Sequence, residues 1–162
     1  MKSVRKRRLK GKTDYKNRFG LLKSEKIRLV VRKTNKHIIA QVVETNASQD
    51  KILCGINSKT LLEKGWSKEK SGSLKSLGAS YLVGLIIGKL AKEKKIKEAI
   101  FDIGMHRNIQ GSRMYGVLKG AIEAGLKIKH DPAALPSDED LKRNNRIGAI
   151  VNKMKEKLKN GE

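Results

Sequence analysis

The stretch RLVVRKTNKHIIAQVVE at residues 28–44 decides the fold class of this chain. In its first half, apolar residues alternate with Arg28 and Arg32, and alternation with a period of two is typical of a strand. A short polar connection of hairpin type then leads into a second apolar run. The pattern predicts two antiparallel strands at residues 27–33 and 37–44. Because both arginines lie on one side of the first strand, we expect one face of the sheet to be basic rather than buried.

Downstream of this hairpin the apolar periodicity predicts a third strand, a helix, a fourth strand, a second helix and a short edge strand, at residues 51–57, 71–95, 98–104, 111–126 and 127–130. A helix between the third and fourth strands permits a crossover and a parallel pairing. The sequence therefore predicts an α/β fold. Its mixed sheet combines an antiparallel three-strand meander with a parallel strand and is packed with helices.

The first long helix contains Gly78, Gly84 and Gly88. Each glycine weakens an exposed helix by roughly 1 kcal/mol relative to alanine. We expect a close approach of this helix to the sheet to compensate. Gly84 and Gly88 also form a small-xxx-small pair, which in such a chain indicates packing rather than dimerisation.

The carboxyl-terminal segment predicts a helical extension. Ser137 is a helix cap with Asp140 three residues later, a variant of the capping box. The apolar stripe that follows consists of Ile147, Ile150, Val151, Met154 and Leu158. We expect this stripe to dock on the body or on a partner. The predicted organisation is a basic arm at residues 1–26, an α/β body at 27–130 and the extension at 131–162.

The amino-terminal part of the chain, the arm together with the first strand and its turn, carries most of the net charge. The first thirty-six residues hold fifteen Lys or Arg and two acids, a local charge of +13 out of a total of +22. Like charges at this density repel unless a polyanion neutralises them. Each Lys or Arg on a phosphate releases a condensed counterion, which gives strong, salt-sensitive affinity for nucleic acid. Tyr15 and Phe19 offer stacking surfaces for bases.

Residues 2–18 have too few apolar groups to fold alone. We therefore expect the arm to be disordered in the free protein and to order on RNA. A solvated tail or a targeting signal is the alternative that composition leaves open.

Other features of the composition exclude several protein classes. A single cysteine, Cys54, excludes an internal disulfide and fits a reducing compartment. We expect this thiol to be buried and inert. The basic amino end lacks the apolar core of a secretory signal, and the longest apolar run, residues 79–88, is about half of a membrane span. We therefore expect a soluble intracellular protein.

A polar loop within MHRNIQGSRMYG, residues 105–116, joins the fourth strand to the second long helix. Backbone N–H groups at a helix amino terminus bind phosphate, and Arg107 and Arg113 would reinforce such binding. An ordinary capped helix with exposed arginines is the alternative interpretation of the same residues.

The sequence contains no recognisable catalytic apparatus. Its three histidines, His37, His106 and His130, lack metal-ligand spacing. Only Glu44 and Asp102 lie on or at the ends of predicted strands, whereas a two-metal nuclease needs several converging carboxylates. We therefore expect no enzymatic activity, no metal and no cofactor, with Asp102 as a structural acceptor for the loop after it. A metal-dependent nuclease on the same fold remains the enzymatic alternative.

Seven segments in this order and at suitable spacing also carry a family resemblance: RKRRLKGKTDYKNR (5–18), RLVVRKTNKHIIAQVVE (28–44), EKGW (63–66), GASYLVG (78–84), AIFDIGMHR (99–107), GSRMYGVLKGAIEAGL (111–126) and LPSDE (135–139). Together they resemble the universal 5S rRNA-binding protein family of the large ribosomal subunit, the eighteenth in the large-subunit numbering, in its archaeal/eukaryotic form. The tail after Leu141 departs from the family pattern.

This resemblance implies a ribonuclease-H-like body of the translational-machinery type, without catalytic carboxylates. It also implies a non-enzymatic structural role in the cytoplasmic ribosome, in the central protuberance between 5S rRNA and the large rRNA, next to other large-subunit proteins. The RNA contacts that it implies fall on Arg5, Lys6, Arg7, Arg8, Lys10, Lys12, Tyr15, Lys16, Arg18, Arg28, Arg32, Lys33, Asn35, Lys36, His37, Arg107, Ser112 and Arg113. A sequence-tolerant nucleic-acid chaperone or packing protein is the alternative function that the arm alone permits.

Overall fold

A five-stranded mixed sheet forms the centre of the computed structural model, which describes residues 4–46, 49–67, 72–142 and 145–159. The strands are β1 Arg28–Lys33, β2 Ile38–Asn46, β3 Gln49–Asn57, β4 Glu98–Asp102 and β5 Lys127–Ile128. Their order across the sheet is β3-β2-β1-β4-β5. β1 pairs antiparallel with β2, as β2 does with β3, whereas the β1–β4 and β4–β5 pairs are parallel. The predicted mixed α/β fold is confirmed, including the meander and the short edge strand.

The described helices are α1 Lys6–Leu9, α2 Tyr15–Lys23, α3 Leu77–Glu93, α4 Arg113–Glu123, α5 Asp138–Lys142 and α6 Asn145–Lys159. Short 3₁₀ turns occur at Ser58–Leu61 and Pro132–Ala134. α3 begins later than the predicted residue 71 because Ser76 caps it: the Ser76 Oγ accepts a hydrogen bond from the Ala79 N–H at 3.2 Å. The first residue of that prediction, Ser71, lies outside the described residues.

The hydrophobic core lies between one face of the sheet and the helices α3 and α4. Leu29 and Val31 of β1, together with Ala40 and Val42 of β2, are fully buried there. Their spacing of two residues is the strand periodicity that the sequence predicted. The intervening residues of β1 project toward the opposite face, which carries the charged groups described below.

Gly84 and Gly88 of α3 pack against α4 rather than against the sheet, so the predicted site of close approach was wrong for these two glycines. A Cβ atom on Gly84 would overlap the carbonyl oxygen of Val117, and one on Gly120 of α4 would overlap the carbonyl oxygen of Tyr81. A Cβ on Gly88 would lie 2.5 Å from the Cβ of Ala124. The glycines therefore let the two helix backbones come nearly into contact, which is the packing role expected of the small-residue pair.

The carboxyl-terminal extension docks on the body, as its apolar stripe predicted. Val151, Met154 and Leu158 of α6 are buried, and α6 contacts α3. The side chain of Ile147, the first residue of that stripe, lies outside the described part of the structure. The predicted capping box is also present: the Ser137 Oγ accepts from the Asp140 N–H at 3.1 Å, and the Ser137 N–H donates to Asp140 Oδ2 at 3.2 Å.

Candidate nucleic-acid interface

The hairpin turn and the loop after β4 meet at one end of the sheet. The parallel register aligns Arg28 with Ile100 and Val30 with Asp102, so the carboxyl ends of β1 and β4 lie side by side. A direct bond joins them, because the Lys33 N–H donates to His106 Nε2 at 3.1 Å. Residues 33–37 of the hairpin and residues 103–107 of the loop therefore form one continuous surface.

A network of ion pairs, in which positive and negative side chains alternate, runs from the arm through the sheet to this surface. Arg18 of α2 pairs with Asp50 of β3 at 3.0 Å, and Asp50 pairs with Arg28 at 2.9 Å. Arg28 also pairs with Asp102 at 2.9 Å, and Asp102 pairs with Arg32 at 3.1 Å. Three cations alternate with two anions, so the arm is linked electrostatically to the end of β1.

Arg28 lies in the middle of this network of ion pairs, inside the protein, and not on an exposed basic face. It is only 2% exposed, and its guanidinium is held by the two carboxylates and by the Thr45 hydroxyl at 2.9 Å. At Arg28 the sheet therefore lacks the unburied basic face that the sequence predicted. The physical reason is that a buried guanidinium requires paired acceptors, and the strand brings Asp102 and Asp50 within reach.

The residues around Asp50 change the pKa of its carboxyl group. Burial by itself would raise the pKa of Asp50. The hydrogen bond from Thr45 and the positive charges of Arg28 and Arg18 outweigh burial, and the pKa is lowered from its ordinary value. The Asp50 carboxylate therefore stays ionised at neutral pH and keeps hold of both arginines.

The predicted role of Asp102 as an acceptor for the following loop is confirmed. Asp102 Oδ1 accepts from the Gly104 N–H at 2.8 Å as well as from Arg32. Gly104 has a φ of 61°, a left-handed conformation that favours glycine. Asp102 thus shapes the turn that carries His106 toward the hairpin.

The arm contains local helical structure where composition predicted disorder. Asp14 caps α2 by accepting from the Lys16 and Asn17 N–H groups at 3.0 and 3.2 Å, and Arg7 Nε donates to Thr13 Oγ1 at 3.0 Å. The capping side chain was the signal that an argument from composition overlooked. Neither α1 nor α2 buries a residue, so local bonds rather than a core stabilise these helices.

Arm and body together enclose a cavity of about 320 Å³. The arm contributes the cations Arg7, Lys12 and Arg18 and the polar residues Thr13, Asp14 and Asn17. The body contributes Arg32, Asp102, Gly104, Met105 and His106. The structure thus gathers four of the predicted RNA-contacting residues, Arg7, Lys12, Arg18 and Arg32, around one cavity.

His106 is held neutral at the wall of this cavity. Burial lowers the pKa of His106, and the nearby charges of Lys33 and Arg32 lower it further. Its Nε2 accepts the Lys33 N–H, so the ring proton of the neutral form lies on Nδ1. His106 therefore presents an uncharged hydrogen-bond donor beside cationic neighbours.

The remaining hairpin and arm residues differ in accessibility. Lys33, Asn35 and Lys36 are exposed at the hairpin, while His37 is half-buried. In the arm, the Arg5 guanidinium lies 4.6 Å from the centroid of the Tyr15 ring. This contact covers one face of that ring, whereas Phe19 is 70% exposed and keeps its ring accessible for stacking.

The start of α4 forms a separate part of the surface. Arg107 and Arg113 are exposed, and Ser112 is the residue before the helix without a capping bond from its side chain. The Gly111 N–H instead donates to the Ala134 carbonyl at 2.9 Å, which ties this turn to the carboxyl-terminal extension. None of these three predicted contacts lines the cavity between arm and body.

Three residues of this region were missed as functional candidates. Asp50 and Asn17 were not singled out from the sequence, and His106 was noted only within the polar loop at residues 105–116 and as lacking metal-ligand spacing. No local pattern predicts the His106 contact, because Lys33 and His106 are 73 residues apart. No local pattern predicts Asp50, because its partners Arg18 and Arg28 lie 32 and 22 residues away.

Within residues 4–46, 49–67, 72–142 and 145–159, no three His, Cys, Asp or Glu side chains are grouped so as to hold a metal ion. In the same ranges no helix combines the length and the apolarity that crossing a bilayer requires. Cys54 is half-buried rather than buried as expected, and this partial burial raises the pKa of its thiol.

A mixed α/β body, a net charge of +22 and cations gathered at one end of the sheet define a class: basic α/β proteins that bind nucleic acid. Comparison with known proteins narrows this class. Residues 1–97 and 89–131 match the profile of the ribosomal large subunit proteins 60S L5 and 50S L18. The chain belongs to this ribosomal protein family.

Individual relatives agree with the family profile, and each carries the name large ribosomal subunit protein uL18. The protein from Korarchaeum cryptofilum is 41% identical over 150 residues, which cover 93% of this chain and 74% of that relative. The protein from Methanosphaera stadtmanae is 40% identical, with 97% and 79% covered. The protein from Methanothermobacter thermautotrophicus is 39% identical, with 84% and 69% covered.

Family membership fixes the general role of the chain. It is a structural, non-enzymatic component of the large subunit of the cytoplasmic ribosome. Its partners are ribosomal RNA and ribosomal proteins. The enzymatic alternative considered from the sequence is thereby set aside.

Proposed function

We propose that this chain binds 5S rRNA and helps attach it to the large rRNA in the central protuberance of the subunit. The observation that carries the proposal is the convergence of the arm, the β1–β2 hairpin and the loop after β4 at one end of the sheet. Three segments that resemble the 5S rRNA-binding family in sequence are neighbours in space. A basic tail that only neutralised RNA phosphates would not need to lie next to the hairpin and the loop after β4.

The proposed contacts divide by element. The arm supplies cations for the RNA backbone. The hairpin supplies exposed polar and basic side chains on a structured turn, and the start of α4 supplies a separate basic patch. The residues are Arg5, Lys6, Arg7, Arg8, Lys10, Lys12, Tyr15, Lys16, Arg18, Arg32, Lys33, Asn35, Lys36, His37, Arg107, Ser112 and Arg113. Arg28 acts from inside the protein by fixing the two carboxylates that orient Arg18 and Arg32.

The domain organisation follows the same division. Residues 1–26 are the RNA-binding arm, residues 27–130 the body that presents the hairpin and the loop, and residues 131–162 the extension.

Recognition depends on RNA shape, backbone phosphates and unstacked bases, because side chains cannot read the deep major groove of an RNA duplex. The exposed ring of Phe19 suits stacking on such a base.

A binding comparison tests the proposal. The full chain is titrated with 5S rRNA and with random RNA of the same length at physiological salt, and then across a salt series. We expect preferential binding of 5S rRNA, with an affinity that falls roughly 1,000-fold between about 50 and 200 mM salt if six or more phosphates are contacted. Equal affinity for both RNAs would instead favour a sequence-tolerant packing protein.

A single substitution tests the hairpin directly. Lys36→Ala removes an exposed cation at the turn and should cost about 1–3 kcal/mol of 5S binding if its contact is charge-assisted. The matched control is Lys153→Ala on the exposed surface of α6, which removes the same charge away from the surface. Equal losses from both variants would mean that only net charge matters.

A further inference from the structure

The cavity between arm and body differs from the rest of the basic surface because it is recessed. Its volume of about 320 Å³ lies at the lower end of the range for small-molecule pockets, about 300–1,000 Å³. A space of this size suits a single nucleotide and is too small for a duplex. The surrounding surface carries exposed cations such as Lys33 and Lys36.

The charges around the cavity suit one phosphate group. Four cations, Arg7, Lys12, Arg18 and Arg32, line it together with two carboxylates. Both carboxylates already accept hydrogen bonds within the protein: Asp14 from two backbone N–H groups of α2, and Asp102 from two arginines and Gly104. Because guanidinium groups have five donors each, the arginines retain donors for an anion.

The uncharged part of the wall suits a base. Met105 is 52% exposed although it is a large apolar residue, and Leu21 of α2 lies in the same wall. A polarisable thioether packs well against an aromatic ring. Thr13 and Asn17 supply both donors and acceptors, and neutral His106 supplies a donor without adding charge.

We propose that this cavity receives one unstacked nucleotide of the bound RNA, with its phosphate against the cations and its base against Met105 and Leu21. The proposal rests on the proposed function, since it takes RNA as the ligand, and it adds a specific pocket to a general electrostatic surface. Single-stranded loops and bulges, whose bases can be splayed out, are the RNA elements that offer such a nucleotide.

The test fills the cavity without changing its charge. Asn17 lies on the wall and is exposed, so Asn17→Phe should block the space while the body still folds. Asn152→Phe, the same change on the exposed face of α6, is the matched control. The isotope-labelled full chain is titrated with AMP, with adenosine and with inorganic phosphate, and each variant is then titrated with 5S rRNA.

For the wild type and Asn152→Phe, we expect AMP to shift the backbone amide signals of residues 17, 104 and 106 at lower concentration than either adenosine or phosphate. Asn17→Phe should lose these shifts and bind 5S rRNA roughly 10-fold more weakly. Equal responses to phosphate and AMP would overturn the proposal, because the cavity would then be an anion site only. Unchanged 5S affinity in Asn17→Phe would also overturn it, since the cavity would then take a free nucleotide and not an RNA residue.

Met105→Ala provides a second variant in case Asn17→Phe disturbs α2, which circular dichroism would detect. It should weaken AMP binding while leaving the phosphate response unchanged, and a loss of both would contradict a base contact at Met105. The outcome is separable from that of the proposed function. If the wild type does not prefer 5S rRNA over random RNA, the proposed function fails, while the AMP titrations still decide whether the cavity takes a nucleotide.

Discussion

Asp102 is the residue on which the polar interior of this protein depends. It is 5% exposed and accepts hydrogen bonds from Arg28, Arg32 and the Gly104 N–H. A buried carboxylate is stable only when its charge is paired and its oxygens are satisfied. The same contacts fix Arg32 at the cavity wall and set the turn that carries His106, so one side chain links folding to the candidate interface.

Replacing Asp102 should destabilise the fold. In Asp102→Asn the buried Arg28 would lose one of its two counter-charges, and removing one partner of a buried pair costs about 3–5 kcal/mol. The free energy of unfolding in urea measures the loss. Asp131→Asn is the matched control, because Asp131 is exposed and asparagine can still accept the Ala133 N–H. Equal stabilities of the two variants would refute the role assigned to Asp102.

His106 predicts a pH dependence of stability. Its pKa in the folded chain lies below the ordinary value of 6.5, mainly because of burial. As pH falls, the unfolded chain therefore takes up the proton first, and the free energy of unfolding should decrease below about pH 6.5. In His106→Gln the side-chain oxygen can accept the Lys33 N–H without titrating, so the slope between pH 7.5 and 5.5 should flatten.

Urea unfolding across this pH range measures the effect. Lys153→Ala on the exposed surface of α6 leaves His106 in place and removes no group that titrates in this range, so it should keep the wild-type slope. A slope that persists unchanged in His106→Gln would show that other groups cause it.

At the scale of elements, the crossing of α3 and α4 holds the body together. Glycines at 84, 88 and 120 allow the two backbones to approach so closely that a methyl group would not fit. Gly116 of α4 makes a similar approach, since a Cβ there would lie 2.9 Å from Ser80 Oγ. The helix propensity lost at each glycine, roughly 1 kcal/mol, is offset by van der Waals contact along the crossing.

Adding a single methyl group tests this arrangement. Gly84→Ala should destabilise the protein by about 1–3 kcal/mol or more, because the carbonyl oxygen of Val117 belongs to a packed backbone that cannot yield easily. Gly20→Ala in α2 is the control, since a Cβ there meets open space. Thermal unfolding compares the two, and a stabilising effect of Gly84→Ala would contradict the close approach.

At the scale of the whole molecule, charge and core are separated along the chain. The arm holds much of the excess positive charge and buries no residue in its two helices. The body holds the core, and α6 adds buried residues to it where α6 packs against α3. Helices of four and nine residues that bury no residue are marginal in water, so we expect RNA to stabilise those of the arm.

Deleting residues 2–18 should therefore separate binding from folding. The body should keep its circular dichroism and unfold cooperatively, because its strands and helices remain. The dependence of log affinity on log salt should flatten by about 0.7–0.9 for each lost phosphate contact. A variant with Lys153 and Lys157 of α6 changed to Ala controls for the general loss of charge. An unfolded body, or an unchanged salt slope, would contradict the arm's role as an electrostatic anchor.

The sequence by itself determined the elements of this protein and the kind of partner that it binds. The features that allowed this are local patterns: the alternation of apolar and polar residues in β1 and β2, the apolar stripe of α3, and the positive charge of the arm. Local patterns are readable because side chains two, three or four residues apart share a face. The same holds for the capping box at Ser137 and Asp140, which needs only three residues of separation.

Only the tertiary structure decided which distant residues meet. Gly84 approaches α4 rather than the sheet, Arg28 is paired inside the protein rather than exposed, and Arg7 and Arg32 share a cavity. The first contact depends on a helix crossing, the second on the β1–β4 pairing, and the third on the position of the arm. All three bring together residues more than twenty positions apart. Residue types and short spacings do not contain that information, because a buried charge and an exposed one have the same local sequence pattern until their partners are in place.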